Sequence, residues 1–147
     1  MDNNPSMILT GTYYHIVDEK NRLFLPAKLR KNNARFIITP GLDRCIYVYP
    51  MSTWVSIMDK LDGVTLSDKS KQRVFKRVFL SNAVEVRVDS QGRIVIPQVL
   101  KTQSYVWKDV VVIGVKNHLE IWAKEKWQVY YERSKKIFNQ LATKLDI

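Results

Sequence analysis

The feature that most constrains this chain is a segment written twice. VDEKNRLFLPAKLR at residues 17–30 returns as VDSQGRIVIPQVLK at residues 88–101. At an offset of 71, Val17/Val88, Asp18/Asp89, Arg22/Arg93, Pro26/Pro97 and Leu29/Leu100 are identical, while Leu23/Ile94, Phe24/Val95, Leu25/Ile96 and Arg30/Lys101 match in kind. Agreement in both spacing and chemistry within one chain points to a single structural unit built twice. The offset becomes 73 at Gly41/Gly114 and Trp54/Trp127, so the second copy is expected to carry a linker two residues longer. A chain of 147 residues suits one compact domain, or two small halves sharing a core.

Each copy reads as strand, turn, strand, short helix, strand, strand, long helix. In the first, residues 14–17 enter a polar turn and Leu23 to Leu25 run up to Pro26, after which AKLRKN predicts a short helix. FIITPG and IYVYP follow as strands, with Ile46 and Val48 on one face and Tyr47 and Tyr49 on the other. Ser52 is placed to cap a helix with Trp54, Ile57, Met58 and Leu61 along one side. In the second copy VEVRV alternates with Val84, Val86 and Val88 inward; IVI ends at Pro97, QVLK gives the short helix, and VVVIGV and LEIW the last strands. Between the copies, residues 67–82 predict a basic amphipathic helix capped by Ser67 or Asp68, with Val74, Phe75, Val78 and Phe79 as its stripe. Trp127, Tyr130, Tyr131, Ser134, Ile137, Phe138, Leu141 and Leu145 predict a long amphipathic helix, expected to pack on its own core in preference to a neighbouring subunit. The fold class is α+β with a mostly β core. The organisation reads as an N-terminal extension (1–10), a first repeat (11–62), a linking helix (63–82), a second repeat (83–127) and a C-terminal helix (128–147).

The formal charge of +10 favours a polyanionic partner, nucleic acid or an acidic membrane surface. A single cysteine, Cys45, rules out an internal disulfide and suits a reducing cytoplasm. MDNNPSMILTG has no signal-peptide pattern, and no apolar stretch approaches the ~18–20 residues that span a bilayer, so a soluble cytoplasmic protein is expected. Catalysis is not expected. His15 and His118 stand at non-matching positions, His118 aligns with Cys45, and paired cysteines, H-E-x-x-H, phosphate loops and nucleophile elbows are all missing from the sequence. No metal, cofactor or small-molecule substrate is implied.

The chemistry therefore concentrates in DEKNR and DSQGR. An aspartate opening a turn accepts hydrogen bonds from the amides just ahead of it. Asn21 and Gly92, the residues before each arginine, are the two types that best tolerate positive φ, so both turns are expected to hold a left-handed residue there. Asp18 and Asp89 then structure the loops, either by pairing with Arg22 and Arg93 as scaffold or by presetting loops whose arginines present a donor fork to phosphates or a guanine edge. Lys20, Lys28, Arg30 and Lys31 around the first loop, and Arg87 and Lys101 around the second, favour the repeated anion-binding surface.

At these residues the chain resembles the MraZ family, bacterial transcriptional regulators related to the AbrB-type swapped-hairpin barrels. GTYYHIVDEKNRLFLPAKLR, TPGLDRCIYVYPMSTW, AVEVRVDSQGRIVIPQVL and DVVVIGVKNHLEIWAKEKW carry the resemblance, from about Gly11 to about Trp127. It implies one pseudo-twofold barrel of two repeats and assembly of subunits into a ring, an octamer being one such ring. It also implies binding of double-stranded DNA at short direct repeats upstream of the cell-division and cell-wall operon, in association with the nucleoid. The motif carries over to Asp18 and Arg22 and to Asp89 and Arg93. Around it, the basic residues Lys20, Lys28, Arg30, Lys31 and Lys101 are expected as phosphate contacts, with Asn21 and Arg87 in the same surface. The chain departs from the family pattern in three ways. It has Asn21 where a glycine is usual, six residues before Met7, itself an alternative start, and a C-terminal helix running past Trp127. Two alternatives stay open. One is a single-strand or RNA-binding barrel stacking bases on Tyr47, Tyr49 and Trp122, although such rings more often cover a helix. The other is a structural ring protein with an incidental basic surface.

Overall fold

A computed structural model describes residues 8–63 and 68–147; Met7 and Ser67 lie outside them. The elements are β1 (Thr12–Ile16), β2 (Arg22–Phe24), β3 (Arg35–Pro40), β4 (Ile46–Pro50), α1 (Met51–Gly63), α2 (Lys69–Ser81), β5 (Val84–Arg87), β6 (Arg93–Val95), α3 (Gln98–Gln103), β7 (Asp109–Gly114), β8 (Leu119–Ala123) and α4 (Lys124–Lys144). Six strands form one antiparallel sheet in the order β1-β7-β8-β4-β3-β5, and β2 pairs with β6 in a separate ribbon.

The two repeats exchange strands. β1 of the first lies on β7 of the second, and β5 of the second lies on β3 of the first. Tyr47 faces Glu120 at the middle of the β4–β8 pairing, and Leu23 faces Ile94 at the middle of the ribbon. A pseudo-twofold axis through these two pairs relates the halves.

Alternation along the strands separates the two faces of the sheet. Phe36, Ile38, Ile46, Val48, Val110, Val112, Leu119 and Ile121 face the ribbon and close on Leu23, Leu25, Ile94, Ile96, Leu29 and Leu100, all almost fully buried. The opposite face is covered by helices: Tyr49 packs on Trp54 of α1 at 5.7 Å between ring centroids, and Trp122 packs on Trp127 and Tyr130 of α4 at 5.3 and 4.8 Å.

The structure corrects several sequence expectations. After Pro26 the first copy forms turns with i→i−3 hydrogen bonds, Leu29 N to Pro26 O and Arg30 N to Ala27 O, where a helix was expected; left-handed Asn32 (φ 62°) interrupts any continuation. The second copy has room for a true helix, because three residues are inserted there: Ile37 faces Glu85 as Val111 faces Tyr14. One residue is then lost in the following hairpin, so Gly114, opposite Leu119, corresponds to Pro40, opposite Ile46, and not to Gly41. The two-residue linker is the net of these changes. Ser52 lies inside the first turn of α1 and is not its cap, since that helix starts directly after Pro50. Asp68 does cap α2, accepting from Ser70 N at 2.8 Å. Val84 is exposed on edge strand β5, so only Val86 of that alternation is buried outright. The C-terminal helix rests on the sheet through Trp127 and Tyr130, but beyond them Ile137, Phe138, Leu141 and Leu145 are exposed. The helix runs on to Lys144, beyond the rings that rest on the sheet.

Gly114 marks the tightest backbone approach. A β-carbon there would meet the backbone nitrogen of Thr10 and lie 2.6 Å from the carbonyl carbon of Leu9, whose side chain is in the core. Gly114→Ala should therefore displace the Leu9–Thr10 segment and cost about 1–3 kcal/mol. Reversible denaturant unfolding measures this, and an unchanged midpoint would show that the segment yields freely.

Candidate nucleic-acid interface

The two turns have the same internal wiring. In the first, Asp18 Oδ1 accepts from Lys20 N at 2.9 Å and Arg22 N at 2.8 Å, while Oδ2 accepts from Arg22 Nε at 2.6 Å. In the second, Asp89 Oδ1 accepts from Gln91 N at 2.8 Å and Arg93 N at 2.9 Å, and Oδ2 from Arg93 Nε at 2.9 Å. Asn21 and Gly92 are left-handed, with φ of 61° and 79°. The carboxylate engages only Nε of the side chain, and among the described residues neither arginine makes another side-chain hydrogen bond, so both Nη groups of each fork are unengaged there.

The ribbon aims these forks. Leu23 and Ile94 point into the core, so alternation puts Arg22, Phe24, Arg93 and Val95 together on the outer face, with each arginine opposite the apolar residue of the other strand. Phe24 and Val95 are 38% and 53% exposed. They are absent from the site expected from sequence, although strict period-two alternation from Arg22 and Arg93 would have found them. Apolar groups beside arginine forks are suited to the thymine methyl next to a guanine edge.

Of the other expected residues, Lys20, Lys28, Lys31 and Arg87 are exposed, and Arg87 faces Arg35 across the β5–β3 pairing. Arg30 is half-buried and donates Nε to Leu25 O at 2.8 Å. Lys101 is only 7% exposed and donates Nζ to Asn21 Oδ1 at 2.6 Å, so it points inward and not to solvent. Tyr49 and Trp122 lie beneath α1 and α4, which removes two of the three rings proposed as a base-stacking platform. Cys45 is buried; burial pushes its thiol well above the ordinary range, and the charges of Glu120 and Asp43 push the same way. No described group of three or more His, Cys, Asp or Glu side chains is placed to hold a metal.

Both loop aspartates titrate below the ordinary value of 3.8, chiefly because the carboxylate accepts the backbone amide of Arg22 or Arg93; burial opposes this, and the arginine side chain adds to the lowering. A lowered carboxyl pKa stabilises the native loop above the ordinary value and ceases to do so as pH falls through the lowered one. Amide protection at Lys20, Arg22, Gln91 and Arg93 should accordingly fade as pH drops below 3.8. In Asp18→Ala and Asp89→Ala the affected loop should lose that acid-dependent step, which hydrogen exchange followed by NMR resolves; an unaltered step would place its origin elsewhere.

The family profile for MraZ protein, described as antitoxin-like, matches residues 8–77 and again 79–147. A protein of Symbiobacterium thermophilum is 43% identical over 136 residues, covering 92% of this chain and 98% of its own. One from Clostridium beijerinckii is 47% identical over 137 residues, covering 92% and 95%, and one from Caldanaerobacter subterraneus subsp. tengcongensis is 42% identical over 140 residues, covering 95% and 97%. All three are named transcriptional regulator MraZ. With a doubled match along nearly its whole length and relatives above 40% identity end to end, the chain belongs to the MraZ family.

Proposed function

We propose that the protein is a DNA-binding transcriptional regulator with no enzymatic role, repressing from short direct repeats upstream of the cell-division and cell-wall operon as a ring of subunits. The observation that carries this reading is the pair of arginine forks held on one outward ribbon face by identical aspartate turns, with their Nη groups unengaged. The names of the relatives support the regulatory role. Arg22 and Arg93 read base edges in the major groove of duplex DNA, while the exposed Lys20, Lys28, Lys31 and Arg87 bind phosphates. Cytoplasmic placement at the nucleoid follows from such a partner.

One ribbon covers few base pairs, and a handful of contacts leaves affinity near the nonspecific range of ~10⁻⁴–10⁻⁶ M. Several ribbons on one assembly meeting several repeats make later contacts intramolecular, which can raise affinity ~10²–10⁴-fold. The exposed apolar residues Val74, Phe75 and Val78 of α2 and Ile137, Phe138 and Leu141 of α4 support such an assembly.

Two measurements test the reading. Arg22→Ala and Arg93→Ala should each weaken binding to the DNA upstream of the protein's own operon by ~1–3 kcal/mol more than binding to random duplex. Equal losses on both would reduce the arginines to phosphate contacts. Inserting about 5 base pairs, half a helical turn, between two repeats should weaken binding nearly as much as deleting one repeat. Indifference to that spacing would remove the multivalent mechanism.

A further inference from the structure

The corner of each loop is gripped by the other repeat. Leu25 N, from the first repeat, donates to Gly92 O in the second at 2.9 Å, and Ile96 N donates to Asn21 O at 2.7 Å. A cation lies against each corner. Lys101 Nζ donates to Asn21 Oδ1, and Gln98 Oε1 accepts from Asn21 Nδ2 at 3.3 Å, so two residues of the second repeat hold the first loop's corner. At the other corner, a β-carbon on Gly92 would lie 2.8–3.0 Å from the Nη2, Cζ and Nε atoms of Arg30. Three guanidinium atoms at nearly equal distance mean that the plane of Arg30 lies flat across the glycine.

Arg30 and Lys101 are equivalent in the repeat, as are Gly92 and Asn21, yet the chemistry differs in a correlated way. A planar, wide guanidinium leaves room only for a residue without a side chain. A lysine, reaching in with a single ammonium, leaves room for a side chain and needs an acceptor from it, which asparagine supplies. Both corner residues also accommodate positive φ. The sequence differences within each loop and on the segment that follows the ribbon strand of the opposite repeat therefore form two matched sets, Gly92 with Arg30 and Asn21 with Lys101.

We propose that Arg30 and Lys101 are positioning residues, each setting the loop that belongs to the other repeat, so that the two arginine forks are presented as one coupled unit and neither cation serves as a phosphate contact. The coupling rests on geometry alone; its consequence for recognition rests on the DNA-binding reading.

Hydrogen exchange on the full chain without DNA tests the coupling. Lys101→Met should speed exchange at Lys20 and Arg22 roughly tenfold, the scale of one lost hydrogen bond to a charged group, and leave Gln91 and Arg93 slow. Gly92→Asn should loosen residues 89–93, and adding Arg30→Lys should restore them by recreating the asparagine–lysine set of the first corner. For Lys101→Met, loosening confined to Gln91 and Arg93 with Lys20 and Arg22 left slow would overturn the proposal, as would failure of Arg30→Lys to rescue Gly92→Asn, and the rescue remains decisive even if Lys101→Met folds poorly. With duplex from upstream of the protein's own operon as probe, Lys101→Met should lower affinity at every salt concentration without altering the slope of log affinity against log salt. Lys20→Ala should reduce that slope by about 0.9. A similar reduction for Lys101→Met would make it a phosphate contact and overturn its positioning role. Absence of binding by the unmodified protein would count against the DNA reading, while the exchange pattern would still decide the coupling.

Discussion

The backbone hydrogen bonds of β1 go to β7 and those of β5 go to β3, so each repeat satisfies its edge only through the other. Most else follows from this exchange. Both helix-backed hairpins, β3–β4 and β7–β8, are joined at the axis through β4 and β8, and the β2–β6 ribbon closes the opposite side of the core. Since a buried amide or carbonyl without a partner is costly, the reciprocal pairing fixes the relative placement of the halves to the register of single residues. The two aspartate turns inherit that placement, because they emerge from the two strands of one ribbon.

Such placement matters for recognition. A planar guanidinium gains from being fixed before it meets its ligand, since less side-chain freedom is then lost on binding. Asp18 and Asp89 fix the forks through Nε and, among the described residues, leave the remaining donors unengaged. The apolar pair Phe24 and Val95 adds shape between the two charges.

Much of this was legible in the sequence, because it depends on local chemistry repeated in register. The doubled D-x-x-x-R, the left-handed residue before each arginine, the strand alternation in IYVY and the Asp68 cap are all encoded within a few residues of where they act. What escaped was set by distant partners. The first copy's missing helix follows from three fewer residues before β3, and the mismatch of Gly41 with Gly114 emerges only from pairing. Lys101 looked like a surface cation because composition carries no direction, and only the fold turns it toward Asn21, 80 residues away in the chain. Likewise the spacing of apolar residues along α4 showed an amphipathic helix without showing that the sheet ends before the helix does.

Exchange of strands also sets an order of events during synthesis. When the first 82 residues have been made, β1 has no neighbour, β3 has an open edge, and β2 has no ribbon partner, since each waits for strands lying between Val84 and Gly114. The first half thus leaves the ribosome as a set of unpaired edges and unfinished apolar surface, and completion depends on contacts far apart in sequence, which form slowly. Duplication without exchange would have allowed each half to mature as it appeared. In this architecture a prematurely terminated chain has no folded half to fall back on, and open strand edges of that kind are templates for aggregation.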